Sequence, residues 1–148
     1  MKNLSLRPKS DYLYTASFGE LYKLTQRWAQ EMNFYKDEIN FLYKLVDKYF
    51  TLLLKDEDIT VLQSLIKHID LVKREHEQLR SSISEHLKHL AVLAENPFSQ
   101  DEVQFRDEHA ILEEELEQLI LEFKSTKKEV FALTEHAIAT DKLKHLLT

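Results

Sequence analysis

From Phe18 to Leu53 a seam side chain returns at alternating intervals of three and four residues without a slip: Phe18, Leu21, Thr25, Trp28, Met32, Tyr35, Ile39, Leu42, Val46, Tyr49 and Leu53. An interval averaging three and a half residues is the period of one stripe along an α-helix, whereas the side chains of a strand alternate every two. The row therefore predicts a helix over residues 17–54 with a heptad seam of the coiled-coil kind. Ser17-x-x-Glu20 opens it with a capping box, in which hydroxyl and carboxylate accept hydrogen bonds from amides that helix geometry leaves without partners. The segment Lys55 to Asp58 ends the period, and Asp58 suits the cap of a second helix.

A second row keeps the same rhythm through Leu62, Leu65, Ile69, Val72, His76, Leu79, Ile83, His86, Leu90 and Leu93, predicting a helix over 59–95. Pro97 disfavours a helical backbone at Asn96 and forces a turn, after which Ser99-x-x-Glu102 supplies another capping box. The third row, Phe105, His109, Leu112, Leu116, Leu119, Phe123, Thr126, Val130, Leu133, Ala137 and Thr140, predicts a helix over 100–145. Loops of a few residues cannot carry the chain back to a parallel start. The expected fold is all-α: an antiparallel up-down-up bundle of three long helices over 17–148, preceded by an N-terminal arm over 1–16. In layout it resembles a spectrin-type repeat, but no residue motif carries that resemblance and nothing functional follows from it.

Composition narrows the function. At 148 residues with 43% hydrophobic content the chain is of single-domain length and can build a core without metals or disulfides. One glycine and two prolines leave it poorly supplied with Gly-rich phosphate loops and strained catalytic turns. Zero cysteines exclude thiolate chemistry and Cys-ligated zinc. A net charge of -6 disfavours nucleic acid and anionic membrane surfaces, and the lysines near Lys127 and Lys142 are interleaved with acidic residues. The amino terminus lacks the apolar core of a secretory signal, and no apolar run approaches the roughly 20 residues that span a bilayer. The expectation is a cytoplasmic protein with no cofactor.

Three seam positions are histidines. Counting outward from the two turns brings Trp28, His86 and His109 to one layer, with Glu31, Glu85, Glu108 and Glu113 on flanking positions. Imidazole with carboxylate is a ligand set for zinc, iron or manganese, so a metal-binding bundle using His86, His109, Glu31 and Glu113, like hemerythrin or ferritin in chemistry only, is the alternative function. The spacing argues against it. Di-iron bundles use Glu-x-x-His, whereas Lys73, Ile83 and Arg106 precede the three seam histidines by three residues. The favoured reading is a buried polar layer that fixes how the helices pair, with neutral His86 and His109 bonded to each other or to a glutamate and stacked on Trp28. Histidines buried in neutral form would lower stability below pH about 6.5. His76 is expected opposite Tyr35.

No nucleophile signature is present: Ser17 and Ser99 occupy caps, no glycine elbow flanks Ser81 or Ser82, and the run Glu113 to Glu115 reads as a solvated face. The chain is expected not to be an enzyme. The first helix carries a second apolar line away from its seam, Leu24, Phe34, Phe41, Leu45 and Leu52. Neighbouring helices would cover part of it and leave Phe34 and Phe41 outside. The expected function is protein interaction or scaffolding, with a second copy of the chain or another protein as partner along this line.

Overall fold

The computed structural model describes residues 16–95 and 102–147. Among these residues the chain is all-α, with helices α1 (Phe18–Lys48), α2 (Phe50–Asp56), α3 (Ile59–Glu95) and α4 (Glu102–Leu147) and no strand. No described helix is long and apolar enough to cross a membrane. The expected turn at Pro97, the capping box at Ser99 and residues 1–15 of the expected arm lie outside the described residues.

The start of α1 forms as its side chains dictate. The Glu20 amide donates to Ser17 Oγ at 3.1 Å and the Ser17 amide donates to Glu20 Oε1 at 3.3 Å, which closes the capping box. At the start of α3 the Thr60 amide donates to the Asp58 carboxylate at 3.0 Å. Ala16, the last residue of the expected arm, is buried with Phe18, Leu21, Leu90 and Leu93, and its carbonyl accepts a 2.9 Å hydrogen bond from Arg106.

The helix expected over 17–54 is interrupted at Tyr49, whose φ of -104° and ψ of 17° fall in the bridge region. No proline or glycine is near. Tyr49, Phe50 and Thr51 are three successive residues of weak helix propensity, and the hydrogen bonds from Tyr49 to Leu45 (3.2 Å) and from Leu53 to Tyr49 (2.9 Å) keep the spacing of an α-helix across the lapse.

Contacts gather the described residues into two compact units, one from residues 16–35, 76–95 and 102–118, the other from 36–75 and 119–147. The core of the first holds Leu21, Trp28 and Met32 from α1, Leu79, Ile83, Leu90 and Leu93 from α3, and Leu112 and Leu116 from α4. The core of the second holds Ile39, Leu42, Val46 and Leu53, then Leu62, Leu65 and Ile69, then Leu119, Ile120, Phe123 and Val130. In this second unit the Tyr43 hydroxyl donates to Asp70, His68 Nδ1 lies 3.1 Å from Glu129, and His136 Nδ1 lies 2.5 Å from Asp56.

Candidate functional site

The seam positions of the first unit converge on a polar layer. Trp28 and His109 are fully buried and His86 is nearly so. The His109 ring stacks on the Trp28 indole at 4.6 Å between centroids and 22° between planes. Nε2 of His86 lies 3.0 Å from Nδ1 of His109, a hydrogen bond inside the core. The His86 ring is also 5.2 Å from the His109 ring. Tryptophan supplies the flat apolar wall, and each imidazole supplies one nitrogen to satisfy the other.

Burial governs the chemistry of His86. Desolvation of the cation, reinforced by nearby His89, pulls its pKa down to about 4. The Glu108 carboxylate, 4.0 Å from Nδ1, would favour the cation, but its side chain is 42% exposed and too distant for a hydrogen bond, so desolvation prevails. At neutral pH His86 is a neutral ring. His76 is buried one helical stretch earlier, and its Nε2–H donates to the Met32 carbonyl at 2.6 Å. That bond assigns the backbone of α1 as a partner for the ring expected opposite Tyr35.

The four residues weighed as an inward metal set do not assemble into one. Among the described residues the His, Asp and Glu group whose ligand atoms all lie within 4.8 Å of one another is Asp56, Glu57 and His136, in the second unit. Nε2 of His86 and Nδ1 of His109 are taken up by each other. Glu113 is buried on α4, and Glu31 is half-buried on α1.

The candidate interface residues separate by burial. Leu24 is 7% exposed and belongs to the core of the first unit, so it cannot meet a partner, because the period that centres on Leu21, Thr25 and Trp28 sweeps it inward as well. Leu45 and Leu52 are half-buried. Phe34 stays 56% exposed, with its ring edge-on to Tyr35, and Phe41 stays 46% exposed, with its ring edge-on to Phe131 at 6.4 Å.

Two further arrangements had no signal in the heptad rows. Arg106 is buried on α4: besides its bond to the Ala16 carbonyl, its guanidinium lies 4.8 Å from the Phe18 ring centre. In the second unit Glu75 shares a hydrogen bond with Glu122, and this bond, burial and the neighbouring charge together raise the Glu75 pKa to about 7. Only a protonated carboxyl can donate to a second carboxylate, so the pair holds one proton. No protein-family model, curated protein or solved structure matches the chain.

Proposed function

We propose that the chain is a cytoplasmic, non-enzymatic helical-bundle protein that acts in protein interaction or scaffolding, and that the partner of α1 is a second copy of the chain. The observation that carries this reading is the exposure of Phe34 and Phe41, 56% and 46%, on one helix. Seven residues are two helical turns, so the two positions fall on the same side of α1. An identical helix offers the same rings at the same interval, which makes the face complementary to itself about a two-fold axis.

The same proposal takes the long helices as an antiparallel, up-down-up bundle of heptad seams, with α1 and α2 in one rod. Within the first unit, Met32 meets His76 while Phe18 and Leu21 cluster with Leu90 and Leu93, an opposed order; Ala16 with Arg106 and Trp28 with His109 run in the same order. Within the second unit, Phe41 with Phe131 and Asp56 with His136 also run in the same order. These contacts support the arrangement.

Light scattering tests the function. The proposal expects a dimer for the native chain and a monomer for Phe34→Glu with Phe41→Glu, both with the same helical circular dichroism. A native monomer that leaves the variant's mass unchanged removes the reading.

A further inference from the structure

One nitrogen of the buried His86 ring is left over by the packing. Nε2 of His86 turns to His109, and Nδ1, on the opposite side of the ring, has no hydrogen-bond partner although the side chain is only 2% exposed. A buried polar atom in that state raises the free energy of the fold unless something binds it. The Glu108 carboxylate lies 4.0 Å away across the gap between α3 and α4. His86 and Glu108 also line one cleft of about 330 Å³ in the first unit, together with Glu85, His89, Ile111 and Leu112.

We propose that this cleft binds a divalent transition-metal ion of the zinc class, ligated by Nδ1 of His86, the carboxylate of Glu108 and the ring of His89, with Glu85 or water completing the shell. Zinc takes imidazole nitrogen and carboxylate oxygen at about 2.0–2.2 Å, so two ligands on one tetrahedral ion stand about 3.3 to 3.6 Å apart. The 4.0 Å between Nδ1 and Glu108 exceeds that spacing by only about half an ångström, which the 42% exposed Glu108 side chain closes by a small rotation. His89 follows His86 by three residues on α3, which puts both on one face of the helix. It is exposed and packs edge-on against Phe105, so a rotamer change turns its ring toward the ion. Glu85 lies at the rim with a 3.5 Å contact to Lys88, and both side chains are largely exposed.

The interior supplies the second half of the site. A metal-ligating histidine has its other ring nitrogen hydrogen-bonded, which fixes the tautomer and aims the lone pair. An ion on Nδ1 of His86 selects the tautomer in which Nε2–H donates to His109 Nδ1, and the stack on Trp28 holds His109 in place to accept it. The ion would also sit between a lone pair and a carboxylate that otherwise face each other. This site does not depend on whether α1 binds a second copy.

Titration of the full chain with cobalt(II), followed by displacement with zinc, tests the assignment. The expected result is one equivalent bound with the visible absorption of tetrahedral cobalt, and affinity lowered at least tenfold in Glu108→Gln and in His89→Ala, whose far-ultraviolet circular dichroism should match the native chain because both positions lie at the rim. Failure to take up cobalt at millimolar concentration overturns the proposal. So does native affinity in both variants, or loss of binding in His136→Ala alone, which would assign uptake to the Asp56, Glu57 and His136 cluster instead.

Discussion

Nε2 of His86 and Nδ1 of His109 are 3.0 Å apart in the core of the first unit, each the partner of the other. The energetic consequence is coupling. His86→Leu or His109→Phe alone leaves one buried ring nitrogen unsatisfied and should lower unfolding free energy by about 1–3 kcal/mol. The double variant removes both polar groups and should lose less than the sum of the singles. A double-mutant cycle from urea denaturation reads the difference directly, and strict additivity would mean that the bond carries no coupling.

Acid should weaken the fold through His86. Its folded pKa, about 4, lies below the unfolded value of 6.5, so the unfolded chain binds the proton first. The stabilisation is fully present above pH about 6.5 and is lost as pH falls toward 4. At roughly 1.4 kcal/mol for each pH unit between the two values, the loss is capped near 3 kcal/mol, and the carboxylate of Glu108 trims it further.

Glu75 works in the other direction. Its folded pKa of about 7 lies above the unfolded 4.5, so the contribution of the shared proton is complete below pH about 4.5 and disappears as pH rises to 7. Between pH 4.5 and 6.5 the two slopes oppose each other. Thermal melts of the native chain should therefore change little across that interval, whereas Glu75→Gln should melt at distinctly lower temperature at pH 4.5 than at 6.5. Parallel curves for the two proteins would refute this account.

Arg106 should behave as a pin on the chain entering α1. Arg106→Met removes the hydrogen bond to the Ala16 carbonyl and the charge near the Phe18 ring, at a cost of about 1–3 kcal/mol. Arg106→Lys should restore little, because an ammonium cannot lie flat on the ring and reach the carbonyl at once. Hydrogen exchange localises the effect: the Leu21 amide, bonded to the Ser17 carbonyl at 3.0 Å, should exchange faster in both variants than in the native chain.

The cap at the head of α1 is a smaller and separable quantity. Ser17→Ala deprives the Glu20 amide of its acceptor and should cost about 1 kcal/mol in chemical denaturation, without altering the pH profile. A neutral substitution would show that the first turn of α1 is held by the Ala16 and Phe18 packing alone.

The heptad rows made most of the helical layout legible. Every member of the α3 row from Leu62 to Leu93 is buried, histidines included, because a position on the seam is buried by geometry whatever its chemistry. The same logic brings Trp28, His86 and His109 to one level, where the ring stack and the hydrogen bond join them. Tyr49 was not legible as a break, since its heptad position is unexceptional and only the run of three weak helix formers hints at it.

What escaped the reading was polar and buried. Arg106, Glu113, Ile120 and Thr134 recur every seven or fourteen residues on α4 and are all buried, yet three of the four are polar and hydropathy does not register them as a stripe. Glu75 and Glu122 were invisible for another reason. Which two of many glutamates face each other across a helix pair depends on register to within one residue, and like charges give no reason to pair them.

The lapse at Tyr49 also changes what the chain tolerates. Within α3, inserting one residue would turn every later side chain by about 100° and carry the seam out of the core. An insertion beside Tyr49 has only the seven residues of α2 to turn before the chain leaves that helix, and of these only Leu53 is buried. That junction is therefore the place where length variation in the long helices can be absorbed locally.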